Sequence, residues 1–427
     1  MAINERERTY DGCYGQVVDH GMIAVFLKEC FMLNNMAEES GQDKFPICIW
    51  GHPGIGKTAI TKQFASTPVE FDGKTYPGYT VHDVPIAQFE EMGDLHGIPT
   101  DCVLMYKVVG KGEQSKREDQ WVPQRDETIR AFREDGWKID ASAVCRTLMA
   151  PPDWVPTEPG PTILLLDDWN RASIRILKGI MQLLQNFGMV SWKLPRGCHI
   201  VLTGNPDEQD YLVTTIDEAI KTRIRHVTLR EDEKQWSVWA ERQQLDPRGI
   251  SWVLYQPEMM IGKELTNPRT LSQFFMYTKT IGDLQNDDVR KRAMMYAHSL
   301  LDEETVAAFM VFCTREMENI VEPEDVLAGK KEAFEHMKKL MTRSEPRTDI
   351  LGIVCQRLFA HIVSPHCDQN KDKVKNFQNF ITQDWVPDDT RHTICRQLAA
   401  DTSDSGRVQQ WLLGHNELRK QVLDMLD

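Results

Sequence analysis

The sequence predicts an α/β fold, in which a parallel sheet carries a phosphate-binding loop and is followed by a mainly helical region. The segment GHPGIGKT at residues 51–58 follows the apolar run FPICIW and precedes the helical pattern AITKQFA. Two more aliphatic runs, TILLL at residues 162–166 and CHIVL at residues 198–202, have the composition of strands that are covered on both faces. From about residue 232 the apolar residues recur at helical spacing.

The phosphate-binding loop is the strongest of these signals. Its glycines let the backbone turn tightly enough for N–H groups to converge on an anion, and the following helix adds its positive end. Lys57 is expected to reach the β- and γ-phosphates, and the Thr58 hydroxyl to bind Mg²⁺. The alternative is a glycine turn that binds nothing, which the flanking strand and helix disfavour. The predicted nucleotide-binding residues are Gly51, His52, Pro53, Gly54, Ile55, Gly56, Lys57, Thr58 and Ala59.

Polar residues follow each of the two later strands. Asp167 and Asp168 come directly after TILLL, and Asn205 follows the strand that begins with CHIVL. In parallel sheets ligands bind at the carboxyl ends of the strands, so these side chains are expected beside the phosphates. Asp167 then suits Mg²⁺, Asp168 the orientation of the attacking water, and Asn205 that water or the γ-phosphate. Taken alone, each could be an ordinary turn residue.

Two arginines lie where a short helix meets the last predicted strand, in DEAIKTRIRHVTL. Arg223 or Arg225 is a candidate arginine finger for the γ-phosphate of a neighbouring subunit. The simpler interpretation of either residue is a solvated surface charge.

These motifs together resemble those of AAA+ ATPases, and within that class the MoxR group. GHPGIGKT resembles its phosphate loop, LLLDDWNRA its LLLDEINRA segment, and LTGNPDEQ its sensor-1 strand. IKTRIRHV resembles LDRFLFKI, and TNPRTLSQF resembles the SPRAL sensor-2 motif. The resemblance covers roughly residues 40–280. It implies an ATPase that uses ATP and Mg²⁺, with Arg223 as the finger and Arg269 as the γ-phosphate sensor in a helical lid.

The chain departs from the family pattern at two positions. Asp168 stands where the family usually has Glu, which places the carboxylate about 1.5 Å further from the water. An offset of that size can slow a positioned reaction, so slow hydrolysis is expected. Thr222 stands where the family often has Asp, which keeps Arg225 open as a second candidate finger.

The spacing of the motifs predicts an insertion. Lys57 and Asp167 are 110 residues apart, whereas two βα units need about 60 residues, which leaves about 50 residues over. We place them at residues 101–150, as a charged hairpin and the short helix DETIRAFRED. In ATPases that resemble the MoxR group this is the helix-2 insert, which faces the pore, and the alternative is a solvated loop.

The expected domains are an α/β domain at residues 1–230, a helical lid at 231–314 and an additional helical domain at 315–427. Residues 16–40 are predicted to form a leading helix.

His361, His366 and Cys367 are close in sequence and could be considered as zinc ligands. No fourth ligand occurs at the usual spacing, which favours packing and loop roles for these residues. The ten cysteines include no C-x-x-C pair, which favours a reducing compartment. The sequence has no long apolar run, which favours a cytoplasmic protein without a membrane span.

Three functions are compatible with this pattern. The first is a ring ATPase, expected to be hexameric, that remodels a protein partner; the MoxR resemblance implies a von Willebrand factor A domain protein as that partner. The second is a nucleic-acid motor or loader, which the net charge of −14 disfavours without excluding a basic pore. The third is a nucleotide-switched binding module with little hydrolysis.

Overall fold

The computed structural model describes residues 13–110, 116–206, 217–261, 264–368, 370–400 and 410–413. The predicted tip of the hairpin at residues 111–115 and the chain end after residue 413 therefore lie outside the described residues. The chain divides into two compact units, an α/β unit that contains most of residues 13–230 and a helical unit from Glu231 onward.

A sheet of six parallel strands forms the centre of the α/β unit. Its strands lie in the order β1-β12-β2-β11-β10-β5. The bounds are β1 Gln16–Val18, β2 Ile47–Trp50, β5 Thr80–Val84, β10 Thr162–Leu166, β11 Cys198–Gly204 and β12 Arg225–Leu229. The predicted fold, a parallel sheet that carries a phosphate-binding loop, is therefore confirmed.

The strand register brings the predicted site residues to one edge of this sheet. Leu166 at the end of β10 pairs with Leu202, and Gly204 at the end of β11 pairs with Trp50 at the end of β2. The residues that follow these strand ends include Gly51, Asp167 and Asn205. All residues of β2, β10 and β11 are buried, as their aliphatic composition predicts for strands covered on both faces.

Helices cover the sheet and connect its strands. The longest of them after α1 is α5, which buries Ile176, Leu177, Ile180, Leu183 and Leu184 along one face. A separate short hairpin turns at Asp72 and Gly73, both with positive φ. The bounds are α1 His20–Glu39, α2 Lys57–Ala65, α3 Met92–His96, α5 Ile174–Asn186 and α6 Glu218–Lys221, with the hairpin strands β3 Val69–Phe71 and β4 Lys74–Tyr76.

The amino-terminal segment differs from the prediction. The expected helix at residues 16–40 begins only at His20, because the Asp19 side chain accepts a hydrogen bond from the Met22 N–H at 2.9 Å and caps the helix there. The residues before it form β1, in which Val17 pairs with Thr228 of β12. Two adjacent valines favour the extended conformation once a neighbouring strand is available.

The predicted insertion folds as a small module with a sheet of its own. The long strand β6 pairs antiparallel with β7 on one side and with β8 and β9 on the other, and Ile98 pairs with Ala150. The hairpin and the short helix α4 were expected, whereas β8 and β9 were not. A small core of Val103, Met105 and Val122 lies beneath Phe132 and Trp137. The bounds are β6 Ile98–Val109, β7 Lys116–Pro123, α4 Asp126–Glu134, β8 Lys138–Ile139 and β9 Arg146–Ala150.

The helical unit contains the remaining described helices and one extended core. That core includes residues on both sides of residue 315, from Trp236 and Phe275 to Leu358 and Phe377. The expected division into 231–314 and 315–427 stays a prediction. The bounds are α7 Glu233–Arg242, α8 Pro247–Tyr255, α9 Pro268–Ile281, α10 Asp287–Ala297, α11 Glu303–Arg315, α12 Pro323–Leu327, α13 Lys331–Met341, α14 Thr348–Ile362, α15 Lys371–Ile381, α16 Asp388–Ala400 and α17 Gln410–Leu413.

In the part of the chain that the structure describes, every helix is too short or too polar to cross a bilayer. All ten cysteines have free thiols, and eight of them are buried.

Candidate functional site

The phosphate-binding loop joins β2 to α2. Gly54 and Gly56 have φ angles of 79° and 102°, a region of backbone space that side chains with a Cβ rarely adopt. The helix α2 begins at Lys57, directly after the loop. The observed loop therefore has the glycine-dependent turn and the helix start that anion binding requires.

Lys57 is buried beneath this loop, with 6 % of its surface exposed. Its Nζ donates hydrogen bonds to the backbone carbonyls of Gly51 at 2.8 Å and His52 at 3.1 Å, and to Asn205 Oδ1 at 3.0 Å. Burial lowers the pKa of Lys57 to about 8, and the nearby carboxylates of Asp168 and Asp167 offset part of this effect. A buried ammonium with neutral partners is well suited to bind a phosphate, which would supply the missing negative charge.

Thr58 and Asp167 form the second part of the site. The Thr58 hydroxyl donates to Asp167 Oδ1 at 2.7 Å, so the helix start and the end of β10 are in direct contact. The Thr203 hydroxyl on β11 donates to the same carboxylate oxygen at 2.5 Å. A hydroxyl and a carboxylate at this separation are hard oxygen ligands of the kind that Mg²⁺ selects, so the residues fit the predicted magnesium site.

Asp168 and Asn205 form the third part. Asp168 has a left-handed backbone conformation with φ 47°, which Asp tolerates better than most residues. Its N–H donates to the Thr203 hydroxyl at 3.0 Å, and its Oδ1 accepts from Asn205 Nδ2 at 2.9 Å. The carboxylate is about 41 % exposed and is therefore accessible to water.

Asn205 itself is held by a residue that the sequence did not single out. The Asn170 amide donates to the Asn205 carbonyl at 2.8 Å, and the Asn205 N–H donates to Asn170 Oδ1 at 3.1 Å. Both residues are almost completely buried. Asn170 and Thr203 are thus positioning residues, and the only local signal of Asn170 was a polar residue two positions after Asp168.

Trp50 connects the loop strand to the segment that carries the candidate finger. Its indole N–H donates to His226 Nδ1 at 2.9 Å, and His226 Nε2 lies 2.8 Å from the Lys221 carbonyl. Burial lowers the pKa of His226, which keeps the imidazole neutral with Nε2 as the donor. The Trp50 ring also packs edge-on against Trp169, with centroids 6.2 Å apart.

The two candidate finger arginines have different surroundings. Arg223 lies between α6 and β12 and donates from Nη1 to the Ala219 carbonyl. Arg225 is exposed, and its guanidinium stacks over the Phe45 ring at 4.8 Å. Arg269 belongs to the helical unit, in the first turn of α9, where its N–H donates to the Asn267 side chain at 3.0 Å and its side chain is exposed.

The structure therefore brings five predicted residues into one hydrogen-bonded network, namely Lys57, Thr58, Asp167, Asp168 and Asn205. Thr203 and Asn170 complete it. Fold and site together define an α/β protein of the phosphate-loop class.

Of the known proteins with which the chain was compared, only solved structures are similar to it. No protein-family model matches the chain, and no curated protein sequence matches it either. Two variants of RuvB from Thermotoga maritima are similar at 12 % identity; they cover 73 % and 72 % of this chain and 78 % and 76 % of their own, with TM-scores of 0.32 and 0.31. A protein from Cytophaga hutchinsonii that is described as a candidate ATPase is also similar at 12 % identity, with coverages of 69 % and 72 % and a TM-score of 0.28. At this identity the likeness concerns the fold alone.

Proposed function

We propose that this protein is a Mg²⁺-dependent ATPase of the AAA+ class that resembles the MoxR group. The observation that carries the proposal is the continuous network from Thr58 and Asp167 through Thr203 to Asp168, Asn205 and Lys57. Each group that phosphoryl transfer to water requires is present in it: a cation for the phosphates, oxygen ligands for a metal ion and a carboxylate for the nucleophile.

Lys57 and the phosphate-binding loop form the part of the network that binds the nucleotide. Lys57 neutralises the β- and γ-phosphates, and the loop N–H groups with the start of α2 bind their oxygens. The oxygens of Thr58 and Asp167, which lie 2.7 Å apart, would hold the metal ion. Bound Mg²⁺ supplies positive charge that neutralises the charge developing on the transferred phosphoryl group.

The hydrolytic half depends on Asp168 and Asn205. Asp168 orients the attacking water and accepts its proton, for which the exposed carboxylate is accessible. Asn205 fixes the carboxylate through the 2.9 Å hydrogen bond, so the water is positioned relative to the γ-phosphate. The short Asp168 side chain remains the reason to expect slow turnover.

The proposal includes a ring in which the active sites are shared. Arg223 is the favoured finger, because the alternative, Arg225, is engaged with Phe45. Arg269 is proposed as the γ-phosphate sensor, since it projects from the first turn of α9. The resemblance to the MoxR group suggests a hexamer.

The insertion at residues 101–150 supports a protein as the client. It has its own small core, and its nine basic and nine acidic residues cancel. A surface with balanced charge suits a protein partner better than a phosphate backbone, which favours net positive charge. The MoxR resemblance points to a von Willebrand factor A domain protein.

The test begins with ATP hydrolysis by the purified protein with and without Mg²⁺. The second part replaces residues 108–117 with a short Gly-Ser linker, which retains Val103, Met105 and Val122 in the core of the insertion. We expect basal ATPase activity to persist and the remodelling of a protein client to be lost. Strong stimulation by DNA or RNA that disappears in this variant would instead favour the nucleic-acid motor, and tight ATP binding without turnover would favour the nucleotide-switched module.

A further inference from the structure

Three helices of the helical unit bring together side chains that have no role in the proposed ATPase reaction. His361 lies near the end of α14, Glu241 near the end of α7, and Glu324 in α12. His361 Nδ1 is 3.1 Å from Glu241 Oε1 and 3.6 Å from Glu324 Oε1. All three ligand atoms lie within 4.8 Å of one another.

These separations match those of atoms that share a tetrahedral metal ion. Zinc binds imidazole nitrogen and carboxylate oxygen at about 2.0–2.2 Å, so two of its ligands in a tetrahedron are about 3.3–3.6 Å apart. The two distances from His361, 3.1 and 3.6 Å, are close to this range. The oxygens of Glu241 and Glu324 lie within 4.8 Å of each other, so the two carboxylates would approach one another when they bind an ion.

The charge of the cluster also suits a divalent cation. Burial disfavours the protonated form of His361, but its hydrogen bonds with Cys367 and Glu241 and the charge of Glu324 raise its pKa to about 10, so the metal-free ring carries a proton at neutral pH. Arg357 also interacts with both carboxylates, but its Nη2 donates to Glu322 at 2.7 Å. A divalent ion would displace the proton from His361 and balance the charges of Glu241 and Glu324, so zinc binding should release a proton.

The imidazole has the additional partner that metal-bound histidines usually have. The Cys367 thiol forms a hydrogen bond with the His361 side chain, besides the contact from Glu241. Such outer partners fix the orientation of a ligating imidazole. The neighbouring His366 is engaged elsewhere, because its Nε2 lies 3.1 Å from the Arg242 carbonyl.

We propose that Glu241, Glu324 and His361 bind a Zn²⁺ ion, with water in the fourth position. A ligand set of one imidazole and two carboxylates suits zinc, whereas Mg²⁺ prefers oxygen ligands alone. The ion would connect α7 to α12 and α14, and so stabilise the packing of the helical unit. The sequence motif around His361 could not show this site, because both carboxylates come from distant helices.

The experiment uses the full chain, treated with a chelator, dialysed, and then titrated with Zn²⁺ alone. The variants are Glu324→Gln and His361→Gln, and His298→Gln, an exposed histidine outside the cluster, is the matched control. The Glu324 side chain is 64 % exposed, so its substitution should leave the fold intact, which circular dichroism can verify. Calorimetry and bound-metal analysis give the stoichiometry, and thermal unfolding gives the stabilisation by zinc.

We expect the wild type and His298→Gln to bind one more Zn²⁺ per chain than either cluster variant. Zinc should raise the unfolding temperature of these two proteins and have a much smaller effect on the cluster variants. Co²⁺ added in place of Zn²⁺ should give the strong visible absorption of a tetrahedral site in the wild type and in His298→Gln. The two cluster variants should lack this absorption. Equal zinc stoichiometry and equal thermal shifts in the wild type and Glu324→Gln would overturn the proposal, as would the absence of zinc binding by the wild type.

Discussion

Lys57 and Asp168 are linked through a single side chain. Asn205 accepts a hydrogen bond from Lys57 Nζ at 3.0 Å through its Oδ1, and donates one to Asp168 Oδ1 at 2.9 Å through its Nδ2. The group that would bind the phosphates therefore contacts, through one amide, the group that would orient the water. If Lys57 turned toward a phosphate, Asn205 would lose one of its partners, which would couple nucleotide binding to the position of the Asp168 carboxylate.

Substitution of Asn205 tests this link. Asn205→Ala removes the amide, but leaves the backbone groups that pair with Asn170. We expect kcat for ATP hydrolysis to fall about 100-fold, because a misplaced nucleophile slows a positioned reaction, while the Kd for ATP changes little. Asn379→Ala, at an exposed position of α15, is the control. A parallel loss of ATP affinity and turnover would contradict the assigned role.

Asp168→Glu tests the length of the carboxylate that is proposed to orient the water. The longer side chain moves the carboxylate outward by about 1.5 Å. We expect higher turnover at saturating ATP, measured by phosphate release, because the carboxylate then reaches the water more directly. A large fall would instead show that the site is built around Asp and depends on its hydrogen bond to Asn205.

Lys57→Met should separate stability from function. The lowered pKa of Lys57 means that its buried charge opposes folding at neutral pH by about 3 kcal/mol, and the loss of its hydrogen bonds offsets about half of the gain. We therefore expect the nucleotide-free variant to unfold at a higher temperature than the wild type, and to lose ATP binding. The exposed Lys62→Met in the same helix is the control. A less stable variant would show that the hydrogen bonds outweigh the cost of burial.

The pKa of Lys57 also predicts a pH dependence. Above about pH 8 the lysine loses its proton in the nucleotide-free protein, so ATP affinity should fall roughly fivefold between pH 8 and 9. Between pH 8 and the ordinary lysine pKa near 10.4, the unfolded chain binds more protons, so the free energy of unfolding should rise with pH relative to Lys57→Met. Isothermal titration and denaturant unfolding measure the two effects. A pH-independent ATP affinity up to pH 9.5 would refute the assigned pKa.

Arg223→Ala tests the shared active site. An arginine finger contributes about 10³-fold or more to the rate, so hydrolysis should be suppressed while ATP binding persists. Mixing this variant with Lys57→Ala subunits should restore part of the activity, because some interfaces pair an intact loop with an intact finger. Arg225→Ala should have a small effect, since its guanidinium stacks on Phe45. Full activity of diluted monomers would rule out the ring mechanism.

The sequence predicted those parts of the fold that local pattern determines. The aliphatic runs gave β10 and β11, and the rule that ligands lie at the carboxyl ends of parallel strands led to Asp167 and Asn205. The short strand β1 was missed, because its pairing with β12 depends on a segment far along the chain. The same holds for β8 and β9, which are short strands stabilised by β6.

The site residues that the sequence did not indicate were missed for the same physical reason. Thr203 occupies an ordinary strand position in CHIVLTG, and only the neighbouring strand shows that its hydroxyl reaches Asp167. In the sequence alone Asn170 resembles a turn residue, and only the structure shows that its amide pairs with the backbone of Asn205. Glu241 and Glu324 resemble any acidic residue on a helix surface until α14 brings His361 between them. Contacts that join distant segments leave no periodic signal in the chain.

The pairing of Ile98 with Ala150 means that the inserted module leaves and rejoins the α/β unit at adjacent points. Its removal or exchange would therefore leave two chain ends that a short turn can join, and the entropy of closing such a short connection is small. The module also has a small hydrophobic core of its own, formed by Val103, Met105 and Val122. The module could therefore be exchanged for another sequence with little change to the sheet that carries the phosphate loop.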